Sequence, residues 1–120
     1  MKTWQEAWDW AAAECDAWNM HDLDAIMTHY AEDVALSSPA VVTRMGRADG
    51  WLRGNAEVRA YFEIGLQAPG LHFELLDVLF GVKTICMIFR RETGATVCDV
   101  FELDDQDRVT RLLACYGQPG

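Results

Sequence analysis

Long apolar runs are missing from this chain of 120 residues. No stretch of 18 consecutive apolar residues occurs, so no membrane-spanning helix and no membrane partner are expected. The opening "MKTWQEAWDW" lacks the apolar core of a secretory leader, and a cytoplasmic protein is expected. Basic residues are scarce, 10 against 19 acidic, for a net charge of −9. That balance argues against nucleic acid and anionic lipid, whose binding rests on clustered Lys and Arg. A small, largely apolar ligand is the expected partner, rather than a phosphorylated one. Paired cysteines are missing too. Cys15, Cys86, Cys98 and Cys115 contain no C-x-x-C, so neither a metal site nor a disulfide framework is expected, and the four read as small buried hydrophobes. There is no G-x-G-x-x-G after a strand, no P-loop and no H-E-x-x-H; no cofactor and no metal are expected.

What is present is a chain 51% apolar and 24% charged, the balance of a globular protein with room for a core. A single domain over residues 1–120 is expected. Trp4, Trp8, Ala11, Cys15 and Trp18 recur at helical spacing and predict a first helix, with the tryptophans as core anchors. "NMHD" interrupts it, and Asp22 is the expected N-cap of a second helix carrying Leu23, Ile26, Met27 and Tyr30 inward. A short strand, "DVALSS", runs into Pro39. Residues 40–54 hold three glycines and three arginines without a clean period and predict a mobile loop, a rim or lid. Trp51 in that loop is placed either to cap a ligand or to pack on a second copy; Arg44, Arg47 and Arg53 are expected to be solvated, with pairing of one of them to a ligand or a pocket carboxylate as the alternative. A third helix follows, capped by Asn55, with Val58, Tyr61, Phe62 and Leu66 inward.

Beyond residue 70 the period becomes two. "LHFELLDVLF", "KTICMIFRR", "GATVCDVFEL" and "RVTRLLACYG" are strand-like and separated by turn residues. Pairing Arg91 with Ala95 makes Glu92-Thr93-Gly94 a three-residue hairpin loop, which sets Met87 opposite Asp99 with Ile85 and Phe89 on the same face. Helices first and an antiparallel meander after them predict an α+β fold, three N-terminal helices packed on a curved, mostly antiparallel sheet. In "TVCDVFEL", Asp99 shares its face with Val97, Phe101 and Leu103. A carboxyl on the face that meets the helices is costly unless it lines a pocket, where burial makes it a usable acid or base near neutrality.

The order of "HDLDAIMTHYAEDV", "SSP", "RAYF" and the closing "DVFELDDQDRVTRLLACYG" resembles the SnoaL-like, ketosteroid isomerase-like branch of the NTF2-like superfamily, over about Trp8 to Gly117. The resemblance implies a cone-shaped barrel with a deep apolar pocket, usually dimerising through the outer sheet, so a homodimer is expected. Ketosteroid isomerases, polyketide cyclases, limonene-epoxide hydrolase, dehydratases and non-enzymatic binding domains share this fold. Asp99 stands where the isomerase's "D-x-F" strand carries its protonated carboxylic acid. The isomerase's oxyanion tyrosine corresponds to Glu14 and its general base to Ser38, a side chain that cannot shuttle a proton as a carboxylate does; steroid isomerase activity is therefore not expected. Limonene-epoxide hydrolase has Arg two residues before its strand Asp, where this chain has Val97.

The remaining constellation is Glu14 and Asp99 as candidate catalytic carboxyls, with Tyr30 and Ser38 as polar contacts and Trp18, Phe62, Met87 and Phe101 as pocket walls. Two carboxyls in one dry pocket would divide their protons, one a base and one an acid. The leading expectation is an enzyme of isomerase or cyclase type acting on an apolar carbonyl compound. A non-catalytic ligand-binding or dimeric interaction module stands beside it, and epoxide or ester hydrolysis behind both. Of the histidines, His21 and His72 are expected at the surface, and His29 is an acid–base candidate more consistent with surface exposure.

Overall fold

The computed structural model describes Met1 and residues 3–118. Helix α1 (Trp4–Asn19) begins with a reciprocal cap: Thr3 accepts from the Glu6 backbone N–H at 3.1 Å and its hydroxyl donates to the Glu6 carboxylate at 3.0 Å. Its buried face runs through Ala7, Ala11, Glu14, Cys15 and Trp18. Trp4, expected as a core anchor, is instead 47% exposed, because its ring lies over the edge of the sheet, where Nε1 donates to the Val78 carbonyl at 2.8 Å. Helix α2 (Leu23–Met27) is capped by Asp22, which accepts from Ala25 N–H at 3.1 Å.

Tyr30 does not belong to α2. The helix ends at Met27, the Thr28 hydroxyl closes its last turn onto the Ala25 carbonyl, and Tyr30 opens strand β1 (Tyr30–Ser37) opposite Val109. Three or four residues past Ile26 and Met27, it fits a helical stripe as well as the first inward site of a strand.

Residues 40–54 are not one loop. Helix α3 (Pro39–Met45) occupies the first half, with Ser38 accepting from Ala40 N–H at 3.1 Å, proline in its first turn and Gly46 as a left-handed C-cap at φ 66°. Strand β2 (Trp51–Arg53) follows. Neither shows a period, since α3 buries only Ala40 and Val41 and three residues are too few to alternate. Helix α4 (Asn55–Gly65) starts one residue earlier than expected, with Gly54 at φ 89° as its N-cap in place of Asn55.

Strands β3 (Phe73–Gly81), β4 (Thr84–Arg91), β5 (Thr96–Leu103) and β6 (Val109–Tyr116) complete a six-stranded sheet of order β2-β1-β6-β5-β4-β3. Only the β1–β6 pair is parallel. Register shifts in β3, β5–β6 and β1–β6 bend the strands, and the sheet curves around the helices. The β4–β5 hairpin closes with Arg91 N–H on the Ala95 carbonyl at 2.8 Å and Gly94 at φ 88°, and Met87 stands opposite Asp99. The core lies between α1, α4 and the concave face. The cysteines do not all join it: Cys15 is buried, but alternation turns Cys86, Cys98 and Cys115 to the outer face, the first two half-buried and the last exposed.

Candidate functional site

Between α1, α4 and the concave sheet the side chains leave a cavity of about 60 Å³. The helices supply Trp18, Tyr61, Phe62 and Gly65, and the sheet supplies Tyr30, Phe73, Phe89, Val97, Asp99, Leu112 and Tyr116. The aromatic wall is continuous. Trp18 stacks on Phe73 at 5.1 Å, Phe73 on Phe89 at 4.5 Å, and Phe62 meets Trp18 edge-on at 5.0 Å and Tyr30 at 5.2 Å. At the mouth, Arg44, Arg91, Val97 and Tyr116 also border a wider outer depression of about 470 Å³. The inner space is smaller than the ~150 Å³ cavity that holds a benzene, so a ligand larger than a few atoms extends through this mouth.

Asp99 stands on the inward face of β5, between Met87 and Ala114 on the neighbouring strands. The small Ala114 leaves open the space beside its carboxyl. Burial first, and then the nearby Glu14 carboxylate, push Asp99 from an ordinary 3.8 up to about 8, with Arg91 pulling the other way. A carboxyl that changes charge near neutrality inside an aromatic cavity can both take and give a proton.

Glu14 does not face Asp99 across the cavity. It is buried beneath the lining, where Tyr30 donates to its Oε2 at 2.8 Å and His29 Nδ1 stands 3.5 Å from its Oε1. Neither that oxygen nor that nitrogen has a hydrogen-bond partner among the described residues. Its helical position, seven residues after Ala7 and four before Trp18, turns it to the sheet at the level where β1 begins. Burial above all raises Tyr30 well past the ordinary tyrosine value, so Tyr30 stays protonated. The interaction with Glu14 raises His29, against the effect of burial. His29 is half-buried with Trp10 at 5.0 Å, not a surface residue.

Ser38 lies in the cavity lining and does two jobs. It caps α3, and it sits in a hydroxyl chain in which Tyr61 donates to Ser38 and Ser38 to Tyr116, each at 3.4 Å. Met87 and Phe101 are fully buried behind the lining rather than in it: Met87 touches the Cys15 sulfur at 3.7 Å, and Phe101 packs against Trp10 at 4.9 Å. They were expected as walls because they share parity with Asp99, but α1 lies directly on that part of the sheet.

The SnoaL-like domain matches residues 11–112. A SnoaL-like protein of unknown function from Burkholderia thailandensis is 38% identical, with a TM-score of 0.92 over 97% of this chain and 98% of that one. The chain belongs to the SnoaL-like family. More distant structures show the same fold. One is a Sinorhizobium meliloti protein provisionally described as a polyketide cyclase (16% identity, TM-score 0.71, 86% and 90% coverage). Another is a Kribbella flavida protein provisionally described as a ketosteroid isomerase (15%, 0.74, 97% and 81%). No curated protein matches the chain.

Within this SnoaL-like frame, sequence reasoning missed Arg91, Tyr61 and Tyr116 as site residues. All three carried a signal: Tyr61 lies on the inward stripe of its helix, Arg91 follows Ile85, Met87 and Phe89 at strand period, and Tyr116 follows Leu112 and Ala114. Of the 40–54 arginines, Arg44 borders the cavity, Arg47 pairs with Glu57 at 2.7 Å, and Arg53 lies over Trp51 at 5.5 Å. Trp51 also meets Arg111, at 5.4 Å, and is outside the cavity lining. His21 and His72 are exposed. Among the described residues, no group of three or more His, Cys, Asp and Glu is placed to hold a metal ion, and no helix is long and apolar enough to cross a membrane.

Proposed function

We propose that this SnoaL-like protein is an enzyme of isomerase or cyclase type, performing acid–base chemistry on a small, largely apolar carbonyl compound with its own side chains. The observation that carries the reading is Asp99: a half-buried carboxyl on the wall of an aromatic cavity, pushed up to about 8 first by burial and then by Glu14. In its ionised form Asp99 takes the proton α to the carbonyl. The C–H electron pair moves onto the carbonyl oxygen, giving an enolate, and neutral Asp99 returns the proton to another carbon. The Tyr61–Ser38–Tyr116 hydroxyl chain is the donor set for the developing oxyanion. Glu14 acts as a positioning residue that fixes Tyr30 in the wall. The same reading has the chain pairing with a second copy through the outer sheet face, where Cys86, Val100 and Leu113 form a cross-strand row.

The test is hydrogen–deuterium exchange at the α-carbon of phenylacetone and 2-tetralone in D₂O, followed by proton NMR. The protein should accelerate exchange, with a rate that rises with pH through about 8 as Asp99 ionises. Asp99→Asn should lower it by about 10²–10⁴-fold while the ketone still binds. Equal exchange by Asp99→Asn would remove the catalytic reading and leave a binding module.

A further inference from the structure

The cavity mouth departs from the charge of the rest of the molecule. On a chain of net charge −9, the passage between the cavity and the outer depression is bordered by two arginines, with Val97 and Tyr116 as its other shared residues. Arg44 is exposed on α3 and makes no ion pair with the described residues. It reaches the cavity across Gly65: a Cβ built there would lie 3.7 Å from its Nη1 and 3.6 Å from the Trp18 ring. The bare glycine thus leaves the guanidinium beside the tryptophan at the rim. Gly65 is in the last turn of a helix, where glycine is less favourable than alanine, and its small size keeps this approach open.

Arg91 comes from the opposite side, on the inward face of β4. Glu92 accepts from its Nε and Nη2 at 2.9 and 3.1 Å, and its guanidinium lies 4.9 Å from the Phe73 ring centroid. A guanidinium has five N–H donors, so Arg91 keeps donors beyond those given to Glu92. Two guanidinium groups and one carboxylate leave the mouth with one net positive charge. Arginine's planar fork matches a carboxylate, and a single surplus charge suits a monoanion better than a phosphate dianion.

We propose that the ligand of this cavity carries a carboxylate at its outer end, held between Arg44 and Arg91, with its apolar body inward against Trp18, Phe62 and Phe73. The proposal rests on the reading of the cavity as a small-molecule site, and it adds an anionic end to the small, largely apolar ligand expected from net charge. The long-range field of the chain is negative, but the contact surface at the mouth is not.

The experiment is isothermal titration of the whole protein with three probes of one shape: 3-phenylpropanoate, 3-phenylpropanamide and 2-phenylethyl phosphate. The acid should bind about tenfold more tightly than the amide. Arg44→Gln, at an exposed position that leaves the core intact, and Arg91→Gln should each bring the affinity of the acid down to about that of the amide, and Arg44→Lys should restore part of the preference. Acid and amide binding alike, or a preference that survives either Arg44→Gln or Arg91→Gln, would overturn the clamp and leave the cavity reading standing. Tighter binding of the phosphate would overturn the choice of a carboxylate. Failure of all three probes to bind the wild-type protein would overturn the clamp and the cavity reading together.

Discussion

At the scale of single residues, inward carboxyls do different work according to what faces them. Asp99 faces cavity space and is pushed up to about 8. Glu14, equally inward, faces Tyr30 and His29 and is spent on holding the wall. The sequence puts Asp99 on the inner surface of its strand by parity alone, and brings in Glu14 by its correspondence to the isomerase's tyrosine. It could not separate their roles, because the partners of Glu14 come from β1 and the turn before it, segments joined to α1 only in the folded chain. His29 is the direct probe of that difference. Glu14 raises its pKa above 6.5, so the stabilisation from this pair is complete below 6.5 and is lost as pH rises through the raised folded value. In Glu14→Gln, the His29 midpoint read by proton NMR should drop towards the ordinary value. An unchanged midpoint would show that Glu14 does not set it.

At the scale of elements, what was legible was what repeats. The stripes of α1 and α4 and the alternation of β3 to β6 predict the layers, and the Glu92-Thr93-Gly94 turn predicts the β4–β5 register that the structure has. The short elements α3 and β2 were not legible as periods. They are written instead in local punctuation, the Ser38-Pro39 start and the Gly46 stop. The join between layers was not legible either. Asn19, at the end of α1, clips the start of β3: its amide donates to the Phe73 carbonyl at 2.9 Å and its oxygen accepts from Phe73 N–H at 2.7 Å. That clip sets the height of Phe73, and with it the Trp18–Phe73–Phe89 stack lining the cavity. Asn19→Ala should cost about 1–3 kcal/mol in urea unfolding and weaken ligand binding. A loss in stability with unchanged affinity would show that the stack positions itself.

At the scale of the whole molecule, several titrations set one pH profile. Between 3.8 and about 8, folded Asp99 keeps a proton that the unfolded chain has released, so stability falls as pH rises across that interval. The His29–Glu14 pair adds a loss in the same direction above 6.5. On the acid side, Glu92 has a lowered pKa because its hydrogen bonds to Arg91 and to backbone outweigh its burial. Its contribution is present above 4.5 and is lost as pH falls through the lowered value. The melting temperature should therefore peak near pH 4.5 and decline from there towards pH 8.5. Asp99→Asn should flatten the decline. A melting temperature that rises between pH 5 and 8 would contradict this balance.

The central claim is that the cavity holds Asp99 uncharged at neutral pH. Carboxyl-carbon NMR titration of the aspartate-labelled protein, with Asp99→Asn assigning the resonance, tests it without any knowledge of the substrate. The account predicts a midpoint near 8; a midpoint near the ordinary 3.8 would mean a hydrated or paired carboxylate and would contradict both the dry cavity and the proton transfer built on it.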